Sequence, residues 1–342
     1  MAGEKYLGAE DNATGTGPNA NSGNPPASTG AGTDSGCVSV ARSASPPGTS
    51  SDGTDRIGFE YDAFGLDAVS WTSSSLRAPA TLTQAQLLGI YNCTFTDWRQ
   101  VGGAPGSIQR YLPPAGSETR LFFATDILNQ SATYMPPTGV AGCPDPVVID
   151  ENEGQQVRAT DSDSVIMPYA ASAWDLQQSN SLNPSLDRRV NSVGAVQLLH
   201  GITTAAPAPG APLIASPVRW NSSNHDYELD TAGPVVESNV RVNLAAGATP
   251  AYPGIRYVYN VLDRNVTTNS AYAAAESLFG FDNSAPSATT KSPMCSNQGP
   301  SSNQVLAVNA IWSGGFASLS TMGSINGNNR AGATCRQFLV TS

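Results

Sequence analysis

Residues 59 to 71 read FEYDAFGLDAVSW, a long apolar run with β-branched and aromatic residues. Such a run is most simply a buried strand, here ending near Trp71. The segments after it set a rhythm. TLTQAQLLGIYN offers Thr81 or Thr83 as a helix N-cap, with Leu82, Leu87, Leu88 and Tyr91 on one side, and predicts a helix. SIQRYLPP reads as the next strand. PPAGSETRLFFATDIL then stops the chain with two prolines and a glycine, and Leu121, Phe122, Phe123, Ile127 and Leu128 recur at roughly helical spacing, so a helix begins at Ser117. Strand, helix, strand, helix is the order of an α/β domain with a largely parallel sheet. DSVIMPYAASAW repeats the strand-to-turn pattern, GIRYVYNVLD is a β stretch, and AYAAAESLFGF is a short helix. VSVARSASPPG predicts a short strand at Val38–Val40 running into a polar turn. Residues 12–36 are low in complexity and read as an exposed, flexible segment, and residues 175–252 carry little clear period.

At 342 residues the chain is long enough for two domains. With 33 glycines, 25 prolines and only 13% charged residues, it has the composition of a loop-rich, secreted-type protein. A net charge of −10 and the lack of any Lys/Arg run argue against DNA or RNA as a partner. No stretch of apolar residues is long enough to span a membrane. The opening MAGEKYLGAEDNATG has neither the basic nor the apolar region of a signal peptide, which sits oddly with the secreted-type composition and suggests a missing beginning. Cys37, Cys93, Cys143, Cys295 and Cys335 are scattered without a C-x-x-C pair, so zinc-type spacing is absent. Their dispersal fits disulfides in an oxidising compartment, or buried thiols, and the odd count leaves one without a partner in the chain.

Three stretches carry possible chemistry. The Gly-Ser-x-Thr opening at Gly116–Thr119 can wrap an anion, because the first turn of a helix has unpartnered N–H groups and partial positive charge; a serine or threonine there more often just caps its own helix. His200 and His225 have no Gly-x-Ser-x-Gly elbow to work with, so no catalytic residue is assigned. DENEGQQVRATDSDS gathers Asp150, Glu151, Glu153, Asp161 and Asp163 in a spacing that fits no calcium loop, and it reads as a solvated loop. No metal or cofactor is expected.

VARSAS, FGLDAVSW, LTQAQLLGIYNCTFTDWRQVGG, IQRYLPPAGSETRLFF, ENEGQQV, IMPYAASAW and RYVYNVL, in that order, resemble the phosphate-type substrate-binding proteins of ABC transporters, in their actinobacterial branch. The resemblance implies a type II periplasmic-binding-protein fold: two α/β lobes joined by two crossing strands, FGLDAVSW and RYVYNVL, with the ligand gripped in the cleft. Lobe one would comprise residues 1–74 and 253–342, and lobe two residues 75–252. The family's anion turn falls on Gly116, Ser117, Glu118 and Thr119, with Arg120 behind it. Glu118 stands where the family usually has a second glycine, and its carboxylate would repel a phosphate unless it points away. VARSAS would contribute Arg42, Ser43 and Ser45 from lobe one, and Arg110, at a strand end, is a further candidate beside Gln109. The family's opening strand and first ligand turn are absent, and its second turn is poorly matched by PPASTGAGTDSGC. On the same resemblance Cys93 pairs with Cys143 and Cys295 with Cys335, leaving Cys37 odd, although spacing alone allows other connectivities. The implied function is an extracytoplasmic solute-binding protein delivering phosphate or a related oxyanion to an ABC permease, with membrane association only through that permease or a lost N-terminal anchor. The alternative is a fold of this type that has lost phosphate binding and serves as a surface or structural module.

Overall fold

The computed structural model describes residues 40–44, 59–178, 187–190, 195–203, 216–223, 225–244, 251–263, 270–279, 311–319 and 335–339. In chain order these form strand β1 (Ala41–Ser43), strand β2 (Phe59–Ser73), strand β3 (Thr81–Thr83), helix α1 (Gln84–Tyr91), strand β4 (Gln109–Leu112), helix α2 (Glu118–Phe122) and strand β5 (Val147–Val148). Strand β6 (Val165–Ala170), helix α3 (Ala171–Gln178), strands β7 (Leu198–Leu199), β8 (Gly201–Thr203), β9 (Val218–Asn221) and β10 (Asp226–Leu229), and helix α4 (Glu237–Leu244) come next. Strand β11 (Ile255–Asp263), helix α5 (Ser270–Phe279) and strands β12 (Ala317–Ser318) and β13 (Arg336–Leu339) complete the described order.

The chain divides into two compact units. One comprises Met1–Gly65, Tyr257–Ala310 and Ser318–Ser342; the other comprises Leu66–Arg256 and Ile311–Ala317. The first is built on antiparallel pairs: β1 lies on β11 with Ala41 opposite Val261, and β13 lies on β2 with Phe338 opposite Tyr61. Alternation along these strands sends rings to one place. Tyr259 meets Tyr61 and Phe338 with centroids 5.8 Å apart in both cases, and a cluster of this kind contributes beyond its buried area. Cys335 is buried and disulfide-bonded, with its other half outside the described residues. Cys295 and Cys37 also lie outside them. Val38 and Ser39 of the short strand expected at Val38–Val40 lie outside the described residues; strand β1 is described at Ala41–Ser43, where side chains alternate buried, exposed, buried.

In the second unit the sheet is mixed. β4 runs parallel to both β5 and β6, as the strand–helix rhythm requires, while β2 is antiparallel to β6, with Val69 opposite Ala170. β2 is buried along its whole length, its polar residues Glu60, Asp62, Asp67, Ser70, Thr72 and Ser73 included. The segment leading into β11 comes so near it that the Val69 N–H donates to the Gly254 carbonyl at 2.7 Å, and a Cβ at Gly254 would stand 2.1 Å from the Val69 oxygen, so only glycine fits. Trp71 is sandwiched, stacked on His200 at 3.9 Å and on Trp98 at 6.0 Å.

Helix α1 starts where Thr83 closes a capping box with Gln86, and buries Leu87, Ile90 and Tyr91. The Tyr91 hydroxyl donates to the Tyr111 carbonyl at 3.0 Å, tying the helix to β4. Just beyond, the Cys93–Cys143 disulfide closes a loop 50 residues apart in sequence. The hairpin β9–β10, in the stretch with little sequence period, is the element least visible beforehand: its buried residues stand only at its ends, so no alternation marks it.

Candidate functional site

The Pro113–Pro114 stop and the turn after it place α2 in the second unit. Gly116 has φ +96, which favours glycine, and Ser117 comes next in extended conformation as the N-cap. The Ser117 hydroxyl accepts from the Arg120 N–H at 3.1 Å, the ordinary capping bond. It also does a second thing. As a donor it reaches Glu151 Oε2 at 2.5 Å, while the hydroxyl of fully buried Thr119 donates to Glu151 Oε1 at 2.5 Å. Both oxygens of one carboxylate are therefore held by the two hydroxyls of the turn. From Phe123 to Ile127 the helix continues as a π-helical turn, a variant common at functional sites.

Glu151 is delivered by an anchored loop. Its neighbour Asn152 has φ +57, accepts from the Ala170 N–H through its side chain at 3.0 Å, and accepts through its carbonyl from the Tyr169 hydroxyl at 2.6 Å and the Gln177 amide at 2.9 Å. On the other side, Asp150 and Gln156 exchange two hydrogen bonds. The backbone is fixed at both flanks of Glu151.

Arg256, on β11, supplies positive charge. It is 6% exposed, donates through Nε and Nη2 to Asp67 Oδ2 at 3.1 and 2.8 Å, and brings Nη2 to 3.5 Å from the Thr119 hydroxyl. Its guanidinium carbon lies 5.5 Å from the centre of the Phe122 ring. Nη1 is buried without a hydrogen-bond partner among the described residues. Asp67, on β2, uses its other oxygen to accept from the Ser172 N–H in the first turn of α3 at 3.0 Å. Asp126 is within electrostatic reach of the same guanidinium, and burial holds its carboxyl above the usual range.

The structure brings Ser117 and Thr119 together with three residues that carry no site role in the sequence reading, Glu151, Asp67 and Arg256, while Gly116 is exposed in the turn before them. Glu118 is half-buried at the start of α2. Arg120 is buried, donates to the Pro113 carbonyl at 2.9 Å and lies against the Met135 sulfur. Arg110 donates to the carbonyls of Tyr91 at 2.7 Å, Pro144 at 2.7 Å and Pro137 at 3.2 Å, and Gln109 donates to the Asp145 carbonyl at 2.7 Å. Arg42 is exposed and Ser43 buried on β1, both in the first unit; Ser45 lies outside the described residues. A signal for two of the three additional residues was available. FGLDAVSW and GIRYVYNVL each hold one charge in an apolar strand, and a buried charge demands a counter-charge. Glu151 carried none, being one carboxylate among several in a polar loop.

His200 and Ser73 form a close polar pair elsewhere in the second unit, with Oγ 2.7 Å from Nε2. Ser73 is wholly buried, the imidazole is stacked on Trp71, and burial holds its pKa down to about 4, so this is a neutral core histidine. Among the described residues, no group of His, Cys, Asp and Glu is arranged to hold a metal ion, and no helix is long and apolar enough to cross a membrane.

A family model described as the PBP superfamily domain matches residues 22–204, more than half of the 342. The chain belongs to the PBP superfamily. Members of this superfamily are binding proteins, and the mixed α/β arrangement of this PBP-superfamily chain is of the same kind. It is similar to the ancestral soluble variant of the human phosphate binding protein, at 17% identity over 84% of this chain and 78% of that one, TM-score 0.48. It is also similar to a human phosphate binding apolipoprotein (16%, 84% and 78%, TM-score 0.45) and to PstS from Borrelia burgdorferi (14%, 83% and 80%, TM-score 0.38). A comparison with curated proteins finds no match for this PBP-superfamily chain.

Proposed function

We propose that the chain is an extracytoplasmic solute-binding protein that takes phosphate or a related oxyanion at Ser117 and Thr119 for delivery to an ABC permease. One observation carries the reading: the two hydroxyls converge on the two oxygens of a single carboxylate, which is the arrangement an oxyanion would need. Arg256, paired with Asp67, lies beside the turn with its Nη1 buried and without a hydrogen-bond partner among the described residues. Neutral hydroxyl donors make the −10 net charge no obstacle, and the Cys93–Cys143 disulfide suits an oxidising compartment. Membership of a binding-protein family agrees with both.

The same carboxylate favours a second reading, in which the seat is permanently filled and the fold serves as a surface or structural module. Isothermal titration with phosphate, sulfate and arsenate separates the two. Saturable heat with any of them, lost in Ser117→Ala with Thr119→Ala, supports the transport reading; no heat with all three overturns it.

A further inference from the structure

The hydroxyl protons at this corner are already in use. A hydroxyl has one proton to give, and Ser117 and Thr119 each give theirs to Glu151. Their acceptor sides are also engaged: Ser117 takes the Arg120 N–H, and Thr119 faces Arg256 Nη2 at 3.5 Å. An oxyanion cannot share those protons with Glu151; it must take them. It must also come near a second negative charge, since the guanidinium beside the turn is already matched by Asp67. The carboxylate is moreover presented at high effective concentration, because Asn152 and the Asp150–Gln156 pair fix the backbone that carries it.

We infer that Glu151 is a built-in competitor: its carboxylate occupies the seat at Ser117 and Thr119, and an oxyanion binds only in the fraction of molecules whose Glu151 side chain has swung away. This rests on those hydroxyls being an oxyanion seat, as proposed above. Apparent affinity is the intrinsic affinity reduced by the competent fraction, so a side chain out of the seat one-tenth of the time or less weakens binding about tenfold or more. Loop movement is not required. Glu151 is half-buried, and rotation about its own side-chain bonds suffices.

The test is titration of the full chain with inorganic phosphate in wild type, Glu151→Ala and Glu151→Gln, each first shown to melt cooperatively. The expected result is a Kd at least tenfold lower in Glu151→Ala, with Glu151→Gln between it and wild type, since an amide oxygen still accepts one hydroxyl without carrying charge. Equal affinities in all three overturn the competitor and leave the oxyanion reading standing. Weaker binding in Glu151→Ala also overturns it, by making Glu151 part of the grip. Absence of binding in all three removes the seat itself, and with it both readings. Binding by Glu151→Ala alone supports the competitor while overturning transport by the native chain.

Discussion

Two buried arginines of the second unit are partnered in opposite ways. Arg110, 1% exposed, donates to three backbone carbonyls, of Tyr91, Pro137 and Pro144, in the segments that the Cys93–Cys143 disulfide ties together. Arg256, 6% exposed, faces side chains: the Asp67 carboxylate and a threonine hydroxyl that itself serves Glu151. A carbonyl of anchored backbone cannot leave its donor without unfolding the chain around it. A side-chain acceptor can leave by rotating. Burial is similar in the two regions; what separates them is the kind of acceptor, backbone for Arg110 and side chain for Arg256.

The largest effect expected from breaking this contrast is at Asp67. Asp67→Ala leaves Arg256 buried without its counter-charge and the Ser172 N–H without its acceptor, and should lower unfolding free energy by about 3–5 kcal/mol in a urea titration. On the other side, Arg110→Met strands three carbonyls and should destabilise by about 3 kcal/mol while leaving phosphate affinity unchanged. A shift of phosphate affinity in Arg110→Met would break the comparison.

His200 gives an effect of similar size without mutation. Its folded pKa, about 4, lies below the ordinary 6.5, so between those values the unfolded chain binds more protons than the folded one. Stability contributed by the neutral ring is complete above pH 6.5 and falls with pH, by about 3 kcal/mol once pH 4 is passed, measurable as urea midpoints across that window. Buried Asp175, whose carboxyl is held up to about 8, titrates in the opposite sense across the same window, so the His200 contribution is read as the difference between the wild-type and His200→Gln slopes. Smallest is Ser117→Ala, which removes the cap on the Arg120 N–H at a cost of about 1 kcal/mol in unfolding free energy yet abolishes most oxyanion heat. A large stability loss with unchanged heat would make Ser117 a structural residue like Arg110.

Much of this fold is legible from spacing. The Thr83 cap, the buried face of α1 and strands β2, β4, β6 and β11 can be read from apolar periodicity and turn residues, because those signals are local. Hairpin β9–β10 is not, since half-exposed strands leave no alternation. At the site, Ser117 and Thr119 are readable from the turn, whereas Glu151 is not: its partners lie over thirty positions away, and nothing in ENEGQQV distinguishes Glu151, which meets the turn, from Glu153, which pairs with Arg188. Arg110 shows the converse. A strand-end arginine resembles a ligand contact in sequence, and the three carbonyls it meets cannot be read there.

Asp67 fastens two things with one carboxylate, the first turn of α3 through Ser172 and the guanidinium of Arg256. A shift of the first turn of α3 on β2 pulls on the carboxylate that holds the guanidinium, so helix placement and charge placement are mechanically linked.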